Sequence, residues 1–404
     1  METAKTFVCI SNYFKGTDFL IQLKELGNTV YLVTSEKMRD KNWPSEAINE
    51  VFYMPGQDVD WNLEHLVIGI ANLMKSQKVD AIVALDDFDV EKATYLRENL
   101  RIKGMGQSTG RYFRDKLAMR MLAKSVGILV PVFSSLFNDE AINSFMETIP
   151  APWILKPRSE ASSIGISKIL DKEMAWRHIN ELGANRFKYL LEQFIPGNVY
   201  HCDSLVYNET VLFSLTSKYI TTPLEISQSG GVFRSVTMVR NSDDDQKIKE
   251  INKQILESFG LKNGAAHTEF IKCEATGQIY FLETSSRVGG AHLAEMVEAA
   301  SGINLWKEWA SIEDALVKNK KYNLPSVKEN YAGIVLTLSH LAYPDLSSFS
   351  DPEVCFRVPL EYHAGLIVKS KNYDKILALI DDYTCRLTNG IAAVGEQKRV
   401  TKLH

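Results

Sequence analysis

"AAHTEFIKCEATGQIYFLETSSRVGG", residues 265–290, contains two apolar runs separated by a short polar connection. The runs "AAHTEFIKC" and "IYFLETS" flank "EATGQ", whose Gly277 suits a reversal, so the segment reads as a β-hairpin. Side chains alternate along a strand. Glu283, Ser285 and Arg287 therefore share one face, and His267 and Glu269 share another. Pairing Cys273 with Ile279 across the connection sets Glu269 directly opposite Glu283. Such neighbours stand ~4.5–5.5 Å apart at Cβ, and like charges there repel. One carboxylate is then protonated, or a basic group intervenes, or a metal does; the plain alternative is two exposed glutamates. Two carboxylates and a hydroxyl suit a hard cation, Mg²⁺ above all.

Upstream, "WILKPR" buries Lys156 in an apolar strand, and Pro157 keeps it extended. The following "RSEASSIGI" offers Ser159, Ser162, Ser163 and Gly165, small residues whose backbone N–H groups can close on an anion. The alternative is a lysine that snorkels to solvent. The stretch "LLEQFIPG" reads as a strand ending at a turn, Pro196-Gly197, before the strand "NVYHCDSLVYN". "QKIKEINKQILESFGL" is an amphipathic helix with Ile248, Ile251, Ile255 and Phe259 on one stripe. "RYFRDKLAMRMLAKSVG" reads as a helix ending near Gly127.

The first hundred residues alternate strand and helix: "TFVCIS", "DFLIQLKELG", "TVYLVTS" and "VDAIVALDD". That pattern implies a parallel sheet covered on both faces. No GxGxxG follows the first strand, so the dinucleotide signature is missing. Asp86, Asp87 and Asp89 are read as capping and solvated groups at a strand end. The tail from Tyr331 mixes strands and a helix, and "KNKKYNLPSVKEN" is the best linker.

The chain has 404 residues, enough for two or three domains. Its net charge of −4 gives no basic field for nucleic acid. Five scattered cysteines without a CxxC pair suggest reduced thiols in a cytoplasmic protein. No run approaches the ~20 apolar residues of a membrane span, and no signal peptide is apparent. Cys202, Cys273 and His292 are read as structural, and Met38, Met119 and Met121 as packing residues. Arg234, with Glu225 and "QSGGVFRS", lies in a polar segment long enough to cover a site, where it would meet a phosphate or carboxylate.

Taken in order, "DKLAMRMLAKSVGILVPVF", "ILKPRSEASSIGIS", "LLEQFIPG", "HTEF" and "FLETSSRVGG" resemble the ATP-grasp superfamily, in its carboxylate–amine ligase form. The resemblance covers about Arg111 to Ser311. It implies an α/β protein: an N-terminal parallel-sheet, Rossmann-like domain (1–110), a two-lobed nucleotide-binding unit with antiparallel sheets (111–315) and a small α+β C-terminal domain (330–404). It implies ATP and one or two Mg²⁺ ions. Lys116 and Lys156 would touch the nucleotide phosphates, and Ser162, Ser163 and Gly165 would form the flexible loop. The backbones of Glu192 and Ile195 would hold adenine, with Asp203 beside the nucleotide. Glu269, Glu283 and Ser285 would bind metal, Ser285 standing where many members have Asn. Val199 stands where many have Glu. Arg287 would stabilise charge on an acyl phosphate, and Gly289 and Gly290 would meet substrate. His267 would serve as an acid–base group or orient Glu269. The implied partners are a small-molecule carboxylate and an amine, with no nucleic acid or membrane, and a homodimer is the base-rate expectation for the assembly.

Overall fold

The structure is a computed structural model and describes residues 4–56, 60–160 and 164–393. Strands β1 (Thr6–Ser11), β2 (Thr29–Ser35), β3 (Glu50–Met54) and β4 (Ala81–Ala84) form a parallel sheet in the order β3-β2-β1-β4. Helices α1 (Thr17–Glu25), α2 (Leu63–Leu73) and α3 (Val90–Leu100) connect and cover it. Phe7 and Cys9 of β1 join one core with α1, while Val8 and Ile10 join another with α2 and α3. This is the two-faced burial that crossover connections impose.

Short α4 (Gln107–Arg111) precedes α5 (Lys116–Ser125). The helix expected from about Arg111 thus starts later. Asp115 accepts from the backbone N–H groups of Leu117 and Ala118, at 3.0 and 3.4 Å, and so sets its first residue. A small antiparallel sheet follows, β5 (Phe133–Ser135), β6 (Trp153–Pro157), β7 (Ser167–Ile169) and β8 (Tyr189–Gln193), ordered β5-β8-β6-β7. Helices α6 (Asp139–Thr148) and α7 (Lys172–Leu182) pack on it through Ile142, Phe145 and Ile179.

A large antiparallel sheet takes up the rest. It contains β9 (Gly197–Tyr207), β10 (Thr210–Thr221), β11 (Phe233–Thr237), β12 (Gly264–Cys273), β13 (Ile279–Ser285), β14 (Tyr331–Leu338), β15 (Val354–Arg357) and β16 (His363–Ser370). Their order is β13-β12-β9-β10-β11-β14-β16-β15. Short α8 (Pro223–Ser229) joins β10 to β11, and α9 (Asp243–Phe259) places Ile248, Ile255 and Phe259 against Phe270 and Phe281. Helix α11 (Leu305–Val317) packs against α1, with Trp309 edge-on to Phe19 at 5.0 Å, and α10 (Leu293–Ser301) packs on β14 and β16. Within the stretch expected as a small C-terminal domain, the described residues 331–390 extend this same sheet: β14 pairs with β11, and α12 (Tyr373–Gly390) covers β14 and β16.

The turn at Pro196-Gly197 carries the chain from the small sheet to the large one, since β8 lies in the first and β9 in the second. Gly197 is needed there, since a Cβ would stand 2.1 Å from the backbone oxygen of Lys272. The β12–β13 hairpin forms as read, but Lys272, not Cys273, pairs with Ile279, and Phe270 pairs with Phe281. Such a slip would send Glu283 to the wrong face. A bulge at Leu282 restores it: Glu269 lies opposite Glu283, Thr268 opposite Thr284 and His267 opposite Ser285. The buried Phe270 and Phe281, in edge contact at 6.4 Å, hold the turn half of the hairpin in the shifted register.

Replacing Gly197 by Ala is expected to cost about 1–3 kcal/mol through overpacking against β12. Urea unfolding checks this, and a variant as stable as wild type would show that β9 can move away from Lys272.

Candidate active site

The small sheet and the large sheet face each other across a cavity of about 280 Å³. Ile154, Ile166, Ile195, Ile271 and Leu282 supply apolar walls. Lys116, Lys156, Glu192, Glu269 and Glu283 supply charge. Thr222, Leu224 and Glu225, around the start of α8, line it too. The segment expected to lie over the site does so in part, as a helix whose Thr222 and Glu225 form a reciprocal cap.

Lysines and glutamates meet across this cavity. Lys116 Nζ lies 2.9 Å from Glu283 Oε2 and donates to the backbone oxygen of Glu160 at 2.6 Å. Of the three resolutions for the opposed carboxylates, a basic neighbour is thus present. Lys156 Nζ lies 2.6 Å from Glu192 Oε2, whose Oε1 is 2.5 Å from Arg120 Nε. Burial lowers the Lys156 amine to about 8, against the opposing pull of Glu192. Burial raises the Glu192 carboxyl, but Arg120 and Lys156 reverse this and hold it low. Arg120 was missed in the sequence. It sits on the buried stripe of α5 with Lys116 and Ala123, and a charged residue in such a stripe is the signal that marks it.

Behind Glu269 stands a buried polar network. Tyr219 donates to Glu269 Oε1 at 2.9 Å, and His267 Nε2 lies 3.6 Å from the same oxygen. Asp203 Oδ1 is 2.8 Å from His267 Nδ1, and its Oδ2 is 2.8 Å from His201 Nδ1. Burial lowers the His267 imidazole, but Asp203 outweighs this and raises it to about 9. His201 is lowered by burial. Burial raises Glu269, yet His267 and Tyr219 bring it below its usual range. His201, Asp203 and His267 have ligand atoms within 4.8 Å of one another. Both Asp203 oxygens are taken up by Nδ1 atoms, which describes a hydrogen-bonded cluster rather than a metal centre. Asp203, expected beside the nucleotide, does not line the cavity.

Arg287 is held elsewhere than on Glu283. Its Nε lies 2.7 Å from Asp87 Oδ2, its Nη2 bonds the same oxygen, and its Nη1 donates to Val288 O at 3.0 Å. Asp87, just beyond β4, is therefore an ion-pair partner and not a solvated group; Asp86 does cap, accepting from Phe88 N. Burial raises Asp87, but Arg287 and then Arg114 hold it far below the carboxylate range. Arg234 lies away from the cavity, bonding Thr221 Oγ1 at 2.9 Å and reaching Asp381 at 3.5 Å. Ser285, Gly289 and Gly290 do not line the cavity. A Cβ on Gly289 would stand 2.9 Å from Asp203 Oδ1. Gly165 has φ 73 between the lining residues Ile164 and Ile166, whereas Ser162 and Ser163 lie outside the described residues.

Residues 149–295 match the family described as ATP-grasp domain, and Lys156, Glu192, Glu269 and Glu283 all fall within the match. The likeness to an ATP-grasp domain thus spans the central part of the chain. Its sequence is 26% identical over 246 residues to an L-arginine-specific L-amino acid ligase from Bacillus subtilis, covering 59% of this chain and 59% of that protein. It is 24% identical over 303 residues to an alanine–anticapsin ligase from Bacillus subtilis, covering 68% of this chain and 61% of that protein. The chain thus spans about three fifths of the length of these curated relatives. In structure it resembles an L-amino acid ligase from Bacillus licheniformis, with a TM-score of 0.73 and 16% identity over 98% of this chain and 100% of that one. The biotin carboxylase domain of a Hydrogenobacter thermophilus 2-oxoglutarate carboxylase gives a TM-score of 0.72 and 16% identity, over 97% of this chain and 91% of that one. These likenesses establish the ATP-grasp fold. Among the described residues no helix is long and apolar enough to cross a membrane.

The Arg287–Asp87 pair joins the N-terminal sheet to the ATP-grasp domain. Asp87→Ala is expected to cost about 3–5 kcal/mol, because it leaves a buried guanidinium uncompensated. The double variant Asp87→Ala/Arg287→Ala should lose less than the two single losses added. Additive losses in urea unfolding would show that the pair carries no coupling.

Proposed function

We propose that the chain is an ATP-dependent ligase. It activates a carboxylate as an acyl phosphate and joins it to an amine, with amino acids as substrates. The observation that carries this reading is the cavity in which Lys116 and Lys156 face the paired carboxylates Glu269 and Glu283. The ligase names of the relatives support the choice of chemistry, and their amino-acid substrates support the choice of substrate class.

A carboxylate is a poor electrophile at neutral pH, and phosphorylation gives it a leaving group. The apolar walls around Ile195 and Ile271 suit adenine, and the backbones of Glu192 and Ile195 would meet its polar edge. Lys116 and Lys156 would meet the phosphates with two positive charges. Glu269 and Glu283 offer the hard oxygen donors that suit Mg²⁺. Glu283 is half-exposed to the cavity, and Glu269 is held ionised by its neighbours. When bound, the ion neutralises charge on the transferred phosphoryl group. Ser285 is a weaker third donor than the usual Asn, so one well-held ion is the reading. Arg287, fixed by Asp87, stands beside the Gly289–Gly290 loop, where it would face the acyl phosphate and the tetrahedral species that follows. The amine attacks the acyl carbon, phosphate departs, and the amine loses a proton.

Incubation with ATP, Mg²⁺ and paired amino acids is expected to release ADP and phosphate only when both substrates are present, with a condensation product in the mass spectrum. ADP formed with bicarbonate alone would point instead to carboxylase chemistry. Arg287→Ala is expected to leave nucleotide binding nearly unchanged and lower kcat by roughly 10²-fold or more, with only partial rescue by Lys. An unstable Arg287→Ala with normal kcat per folded molecule would make the arginine purely structural.

The Lys156 amine, at about 8, carries a sign for nucleotide binding. Phosphate charge favours its protonated form, so binding takes up a proton above that pH. ATP affinity should fall as pH rises from 8 to 9, by up to about tenfold per unit once the amine is neutral. Calorimetry in buffers of different ionisation enthalpy reads the proton directly. No uptake at pH 9 would mean that Lys156 keeps its charge without ATP.

A further inference from the structure

We infer that His201 and Asp203 are positioning residues for Glu269 and seat the Gly289 loop on the same support. The inference rests on the ligase reading only in that Glu269 binds a divalent cation with the nucleotide. His201 and Asp203 are fully inaccessible, and His267 nearly so. They lie on adjacent strands, with His267 opposite Asp203 and Glu269 opposite His201 in the β12–β9 ladder. A carboxylate only accepts, so each imidazole must turn its Nδ1–H toward Asp203, and the bridge fixes both rings. His201 Nε2 then reaches Ser235 Oγ at 2.8 Å on β11. His267 Nε2 is aimed at Glu269 Oε1, 3.6 Å away, and at Tyr219 OH, 3.5 Å away. Tyr219 closes the loop by donating to Glu269. The chain of contacts thus starts at Ser235, crosses the sheet through His201, Asp203 and His267, and ends on one oxygen of Glu269.

Apolar side chains would pack this interior at no desolvation cost, so a buried carboxylate between two imidazoles calls for a reason. Its end point supplies one. Rigid outer partners orient a metal-binding group and tighten the site. The glycine loop is built onto the same bridge: a Cβ at Gly289 would stand 2.9 Å from Asp203 Oδ1 and 3.0 Å from His267 Nδ1. The loop that follows Arg287 therefore passes close over Asp203 and His267, with no room there for a side chain at residue 289.

The test measures Mn²⁺ binding to the full chain with a non-hydrolysable ATP analogue, by the electron paramagnetic resonance signal of free Mn²⁺. Asp203→Asn is expected to raise the Mn²⁺ Kd by about 10–100-fold while adenosine binding by the folded protein changes little. His201→Asn should follow the same pattern, and Ser235→Ala should give a smaller rise in the same direction. A folded Asp203→Asn with a Kd within roughly twofold of wild type overturns the inference. So does Mn²⁺ retained without nucleotide and lost on His201→Asn, because His201, Asp203 and His267 would then be a metal site themselves. If Asp203→Asn does not fold, an unshifted Ser235→Ala overturns it. Wild type that binds no Mn²⁺ with the analogue removes the cation reading of Glu269 and the inference with it. Mn²⁺ binding without any condensation product overturns the ligase reading alone.

Discussion

Two carboxylates set opposite each other in a β-ladder form the constraint that organises this molecule. Glu269 and Glu283 repel, and neither can be left uncompensated at the edge of a largely apolar cavity. Lys116 comes to Glu283 from the start of α5, a helix that Asp115 holds in place. Tyr219 and His267 come to Glu269 from within the sheet. The large sheet and α5 are thus tied to one pair of side chains. In the ligase reading, a bound cation and phosphates would take over part of this compensation.

The N-terminal sheet is tied in by a second charge pair. Asp87 lies 200 residues from Arg287 in sequence, yet the two share a buried contact. It joins the C-terminal edge of a parallel sheet, where open α/β sheets bind ligands, to the loop after β13. Asn28 donates to Asp314 at 2.7 Å, a second polar tie between the N-terminal sheet and α11. The N-terminal sheet is therefore tied to the loop after β13 and to α11 by buried polar contacts.

What could be read from the sequence was local or motif-bound. Alternating strands and helices gave away the parallel sheet, and the hairpin was visible because Gly277 and two apolar runs lie within a few residues. The motif order pointed to the ATP-grasp unit. Strand pairing at a distance was not legible. The bulge at Leu282 follows from the packing of Phe270 against Phe281, which no period-2 count contains. The placement of β14 beside β11 depends on a backbone ladder that leaves no mark in composition. The partners of charged residues were hidden for the same reason: Arg120 meets Glu192, Arg287 meets Asp87, and Asp203 meets two histidines. Arg287 and Asp203 stood out as candidate site residues without their partners, Asp87 was read as solvated, and Arg120 did not stand out at all.

A crystal structure with Mg²⁺ and a non-hydrolysable ATP analogue tests the central claim most directly. The account expects one ion held by oxygens of both Glu269 and Glu283, with Lys116 and Lys156 turned from their glutamates toward the phosphates. An ion that touches neither glutamate, or a nucleotide bound outside the cavity between the two sheets, would contradict it.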